Sequence, residues 1–199
     1  MKILAFSDVH CDLDACARIV TAGRDADLVI GAGDFAEQHE GLAETMAALA
    51  PIAEKAIYVP GNGETAEALR AATKARVLHG EVAEISGITV AGLGCAVPPL
   101  PRLPWSYDLS EEDAAALLAP IERCDILVTH SPPKGVADVI EGYGSLGSVA
   151  VRDAAERLQP QRLFCGHVHD CWGQGGQIGA TEVRNLGPTV NWFEVSEKS

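Results

Sequence analysis

The chain has 199 residues, with 15 Lys and Arg against 28 Asp and Glu, a formal net charge of −13. A surface so acidic argues against nucleic acid or an anionic membrane as partner, since both are held by basic contacts. The first apolar run, residues 3–6, is too short for a signal-peptide core, and no later run approaches the roughly 18 residues of a membrane span, so the expectation is one cytoplasmic domain over residues 1–199.

Along the chain, short apolar runs alternate with helical patterns. A strand at 3–6 precedes a helix near 12–22; strands at 28–30 and 56–59 follow, separated by a helix near 41–54. A helix near 64–74 leads into 82–85 and 88–91, which flank Ser86-Gly87 and read as a hairpin. Helices near 110–120 and 147–158 then alternate with strands at 126–128 and 163–165. The C-terminal strands, 181–183 and 191–195, flank a turn at Asn185-Leu186-Gly187-Pro188 and read as a second hairpin. Alternation with added hairpins predicts an α/β fold with mixed sheets.

The loop from Gly94 to Ser106 holds prolines at 98, 99, 101 and 104, which exclude helix and central strand. It is either a rigid connector or a wall of a substrate site that offers Arg102 and Trp105. Six cysteines contain no Cys-x-x-Cys pair and read as small buried hydrophobes. Cys11 and Cys171 lie close enough in sequence to candidate ligands to leave thiolate ligation open.

Five predicted strands each end in a residue able to bind a metal: Asp8 and His10, Asp34, Asn62, His130, and His167 with His169. Ligand sites in open α/β sheets form at the carboxyl ends of strands, so these five loops can converge. Glycine precedes the ligand in three of them, which suits tight turns in a crowded place. A lone Asp at a strand end is commonly a helix cap and a lone His a satisfied polar residue; five such endings together point to a metal centre.

The series Asp-x-His, Gly-Asp, Gly-Asn-x-Glu, His, Gly-His-x-His resembles the calcineurin-like metallophosphoesterase superfamily over residues 8–169. Pro60-Gly61-Asn62, Leu78-His79-Gly80, Thr129-His130-Ser131-Pro132-Pro133 and Asn185-Leu186-Gly187 resemble small bacterial and archaeal members related to cyclic-nucleotide phosphodiesterases. The resemblance implies a four-layer αββα sandwich of two mixed β-sheets flanked by helices. It also implies two metal ions, one held by Asp8, His10, Asp34 and His169 and the other by Asp34, Asn62, His130 and His167. Asp34 would bridge them with a water or hydroxide, and Asp34, Asn62 and His130 would serve catalysis directly. Mixed nitrogen and oxygen ligands suit manganese, iron, zinc, cobalt or nickel over an all-oxygen calcium or magnesium cage.

One position departs from the family pattern. Many members carry histidine between the metal-binding Asn and the acidic residue, where Gly63 stands here. Losing a positioned general acid typically forfeits about 10²–10⁴ in rate. Monoesters of poor leaving groups suffer most, which favours a phosphodiesterase acting on small substrates such as cyclic nucleotides, nucleotide-like diesters or aryl esters over a protein phosphatase. His39 is expected in a solvated loop, with a substitute acid as its other reading, and His79 is expected to be structural. A partner-binding scaffold without catalysis is the rival reading, and a nuclease a further one that the acidic charge disfavours. A homo-oligomer is left open.

Overall fold

In the computed structural model, which describes residues 1–196, the first strand, β1 (Lys2–Phe6), has apolar surroundings on both faces. Side chains alternate along a strand. Ile3 and Ala5 therefore pack with one cluster, and Leu4 and Phe6 with another, all four fully buried. A strand that is apolar on both faces needs a layer on each side of its sheet.

The elements follow in chain order as α1 (Leu13–Gly23), β2 (Leu28–Gly31), α2 (Leu42–Leu49), β3 (Ala56–Tyr58), α3 (Ala66–Ala72), β4 (Arg76–Val77), β5 (Glu81–Ile85) and β6 (Ile88–Leu93). After these come α4 (Glu111–Leu118), β7 (Ile126–Thr129), β8 (Val139–Ile140), β9 (Gly144–Ser145), α5 (Val149–Leu158), β10 (Arg162–Cys165), β11 (Gly175–Ile178), β12 (Thr181–Asn185) and β13 (Asn191–Glu194). The first sheet has the order β13-β1-β2-β3-β4 and the second β11-β12-β10-β7-β6-β5, with β8-β9 a small separate pair. Within the two large sheets, β13, β11 and β5 are antiparallel to their neighbours and the other pairings are parallel, so both are mixed.

Between the sheets, Ile3, Ile30 and Val59 meet Val90, Val128 and Phe164. Ile19, Leu49 and Leu69 cover the outer face of the first sheet, and Leu118, Val151 and Leu158 that of the second. This is the expected αββα sandwich. Each large side chain so buried contributes about 1.5–3 kcal/mol.

Helix starts follow the sequence closely, because Asp12, Thr65, Ser110 and Ser148 each accept a hydrogen bond from a backbone N–H of the first turn. The helix expected at 41–54 divides at Ala50. Pro51 has no N–H to continue the α ladder, and Ala50–Lys55 is a 3₁₀ helix. The Ser86-Gly87 hairpin forms as expected, with φ of 49° and 81° at its two turn residues.

The C-terminal pair is not a hairpin. β12 lies beside β10 and β11 in the second sheet, whereas β13 runs antiparallel to β1 in the first. The segment read as a turn instead carries the chain from one sheet to the other, with Leu186 buried between them. No helix among the described residues is long and apolar enough to cross a membrane.

Candidate metal centre

The strands that carry candidate ligands, β1, β2 and β3 in one sheet and β7 and β10 in the other, are parallel within their sheets. Their carboxyl ends therefore open on the same edge of each sheet, and stacking the sheets brings all seven residues together. One ligand atom each from Asp8, His10, Asp34 and His169 lies within 4.8 Å of the others, as does one each from Asp34, His130 and His167. Asn62 joins the second group through Oδ1, 3.0 Å from His130 Nε2.

These turns are tight enough to place non-glycine residues in the left-handed region. Asp8, His10, Asp34 and His167 have φ of 54°, 41°, 56° and 68°. Such residues cost of order 1 kcal/mol or more each and persist where the surroundings over-determine them. Glycine relieves the crowding where no side chain fits: a Cβ on Gly61 would lie 2.0 Å from Asp34 Oδ1.

Within the site, groups with lone pairs face each other. His10 Nε2 is 3.3 Å from His169 Nε2, and His130 Nε2 is 3.2 Å from His167 Nδ1. Asp34 Oδ2 lies 3.4 Å from both His10 Nε2 and His130 Nε2. Two imidazole nitrogens can approach so closely only if a proton or a cation lies between their lone pairs. His130 Nδ1, 2.8 Å from the Ala32 carbonyl oxygen, carries its own proton and so turns Nε2 toward the cluster. A donor set of imidazoles, carboxylates and an amide oxygen fits a borderline divalent cation.

In the metal-free cluster the electrostatics favour the ligating forms of Asp34 and His167 and the protonated forms of His130 and Asp8. Burial opposes charge on Asp34, but His130, His10 and the Gly63 N–H together hold its carboxyl below the usual range. Burial also opposes charging His130, yet Asp34 and Asp8 outweigh it and push the imidazole up to about 9. Burial and then the charge on His130 bring His167 down to about 3, which leaves it neutral, the form that binds metals. Burial raises Asp8 despite the opposing charge of His130.

A second ring of residues, not assigned from the sequence, orients these groups. Trp172 Nε1 donates to Asp8 Oδ2 at 3.0 Å, and its ring lies against that of His169. Ser7 Oγ donates to the same Asp8 oxygen and accepts from Gly187 N–H. Asn185 Nδ2 donates to the Val168 carbonyl between the two histidines. Glu64, fully buried, accepts from the N–H groups of Phe35, Ala36 and Gly61, and so ties the Asp34 turn to the Asn62 turn. Burial and the charge of Asp34 push its carboxyl up to about 7.

A cleft of about 450 Å³ opens over the cluster, lined by Glu37, Leu100 and Trp105 as well as by His10, Asp34, Asn62, His167 and His169. The proline-rich loop is therefore a wall of the site, through Trp105; Arg102 lines none of this cleft. His39 is not merely solvated: its Nε2 donates to the Trp105 carbonyl at 2.5 Å. His79 Nδ1 accepts from Gly94 N–H, a structural role as expected. The two cysteines left open as ligands turn elsewhere, Cys11 Sγ toward the carbonyls of Phe35 and Glu40 and Cys171 Sγ toward that of Val139.

The family model of the calcineurin-like phosphoesterase superfamily domain matches residues 1–192. The chain belongs to this superfamily. TT1561 of Thermus thermophilus has a similar structure, with a TM-score of 0.74 at 18% identity, covering 96% of this chain and 97% of that one. A dimetal phosphatase from Danio rerio gives 0.66 at 15% identity, with 94% and 88% covered. At such identities the likeness is one of fold. UPF0046 protein K07C11.7 of Caenorhabditis elegans is 26% identical over 196 residues, covering 87% of this chain and 65% of that protein. This chain thus spans under two thirds of that relative's length. Superfamily members are hydrolases that typically bind divalent metals, and the two groups described above are the candidate ligands here.

Proposed function

We propose that this chain is a phosphodiesterase with a dinuclear metal centre. Asp8, His10, Asp34 and His169 hold one ion, and Asp34, Asn62, His130 and His167 the other. The observation that carries this reading is the position of Asp34, whose Oδ2 is equally close, at 3.4 Å, to a nitrogen of each group. A pair of manganese, iron, zinc, cobalt or nickel ions supplies Lewis-acid activation of water and neutralises charge on the phosphoryl oxygens.

The protein's part is to hold and orient. The Gly63 N–H donates to Asp34 Oδ1 at 2.8 Å, leaving Oδ2 to the shared position. The His167 N–H donates to Asp8 Oδ1 at 3.0 Å, and Trp172 and Ser7 restrain the other oxygen of that carboxylate.

Two features favour a diester. Gly63 brings no side chain that could protonate a leaving group, and no Lys or Arg among the described residues lines the cleft. A diester carries one negative charge, whereas a monoester near neutral pH carries about −1.5 to −2. With the metal ions in place, the extra charge of a monoester would have no Lys or Arg partner in this cleft, so the less charged diester leaves less charge unmatched.

The test is turnover by the manganese-loaded protein. Bis(p-nitrophenyl) phosphate should be hydrolysed faster than p-nitrophenyl phosphate, and the reverse order refutes the diester preference. Asp34→Asn should remove activity and at least one bound metal ion; full metal content with retained turnover refutes the bridging role.

A further inference from the structure

Next to the metal cleft lies a second cavity, of about 400 Å³, and the two share Leu100, His167 and His169 as walls. Its other sides come from Pro98 in the proline-rich loop and from Ile140 and Leu146 in the segment around β8 and β9. Cavities of this size take small-molecule groups. A substituent on a phosphoryl group in the cleft would enter it past Leu100.

The chemistry of its walls is restrictive. Pro98, Pro99 and Pro101 have no N–H to offer. The remaining N–H of that run, from Leu100, is already given to Asp108 Oδ2 at 3.0 Å. The N–H of Leu146 is used by Asp138 O and that of Val168 by Gly166 O. Apart from the two imidazoles, Asp170 is the one charged residue on the described walls, and none is Lys or Arg. Such a surface offers few free donors to a nucleobase and no Lys or Arg to a second phosphate, and most of it is apolar wall that hydrocarbon can desolvate favourably. The loop that forms it is also held in advance, by His39 at Trp105 O and by Asp108 at Leu100 N. Little ordering is then needed on binding.

On the basis of the phosphodiesterase reading above, we infer that this cavity binds an uncharged alkyl or aryl group of the substrate. The chain therefore acts on phosphodiesters carrying a hydrocarbon substituent in preference to nucleotide diesters.

A series of p-nitrophenyl phosphodiesters tests this with one leaving group throughout. The second substituent would be methyl, butyl, hexyl, phenyl or the 5′-carbon of thymidine, assayed on the manganese-loaded protein. From methyl to hexyl, kcat/KM should rise by up to about fourfold per methylene. The phenyl arm shows whether aryl groups share the gain, and the thymidine ester should fall near the methyl ester. A flat alkyl series, or preference for thymidine, overturns the inference. Leu146, 40% exposed, tolerates a charge without disturbing the core. Leu146→Asp and Ile140→Asp should each bring the hexyl-to-methyl ratio toward one, and a ratio unchanged in both also overturns it.

If no ester in the series is hydrolysed, the phosphodiesterase reading fails by itself. The cavity is then judged by calorimetry on the same metal-loaded protein. Hexylphosphonate should bind tighter than methylphosphonate, with a more negative heat-capacity change. Equal affinities refute the hydrocarbon site.

Discussion

Trp172 reaches across 164 residues to donate its indole N–H to Asp8, at 3.0 Å, while its ring lies 4.4 Å from that of His169. One side chain thus orients two candidate ligands from opposite sheets. Trp172→Phe keeps the ring and removes the donor. Outer partners of this kind typically contribute about 10- to 100-fold to metal affinity. A metal titration of the variant should show a loss in that range, and wild-type affinity would mean that Ser7 and the His167 N–H suffice for Asp8.

Glu64 satisfies three backbone donors with one carboxylate. Glu64→Gln is nearly isosteric, but its amide nitrogen must face an N–H and leave a buried donor unpaired. The expected loss is about 1–3 kcal/mol of stability, read as a lower denaturant midpoint. Weaker metal binding should accompany it, because the Asp34 and Asn62 turns lose their common anchor.

Replacing Gly63 by the histidine common in the family should not create a monoesterase. A Cβ at this position would lie 2.8 Å from the Ala36 carbonyl oxygen, and the Gly63 carbonyl already accepts from His39 N–H at 2.7 Å. Overpacking of this sort costs about 1–3 kcal/mol. Gly63→His should lower Tm and leave the monoester-to-diester ratio unimproved; a ratio that rises tenfold would show that the turn yields readily.

The metal-free protein should bind cations more tightly as pH rises. Folding raises His130 from its ordinary 6.5 to about 9, so its proton is favoured in the metal-free fold. That stabilisation is complete below about 6.5 and disappears as pH passes through about 9. A cation at this nitrogen must displace the proton. Affinity should therefore climb about tenfold per pH unit and flatten above about 9. Calorimetry in buffers of different ionisation enthalpy should detect one proton released; pH-independent affinity would remove His130 from the ligand set.

The seven candidate ligands could be read from sequence because they lie at or just after short runs of branched aliphatics bounded by turn residues, which read as strands, and parallel strands share an open end. The β5–β6 hairpin was legible for a similar reason: Ser86-Gly87 accepts two positive φ values in succession. Trp172 and Glu64 were not, since nothing local marks the partner of a side chain that lies 164 or 29 residues away. The crossing at Asn185 to Pro188 reads as a hairpin turn because turn residues announce a change of direction but not the sheet that receives the next strand. β11 leaves no signal because Gly175-Gly176-Gln177 has none of the branched or aromatic residues that mark strands.

The pairing of β13 with β1 has a consequence for how the protein is made. Synthesis proceeds from the N- to the C-terminus, so β1 emerges well before β13, the strand that closes its outer side. Until then, a short run of Ile3, Leu4, Ala5 and Phe6 presents an unpaired row of backbone groups, a template for other chains. His167 and His169 likewise follow the other five candidate ligands, so the earlier ligand turns wait for them. Maturation of the centre therefore waits for the second sheet to follow the first, and the nascent first sheet is where chaperone protection would matter most.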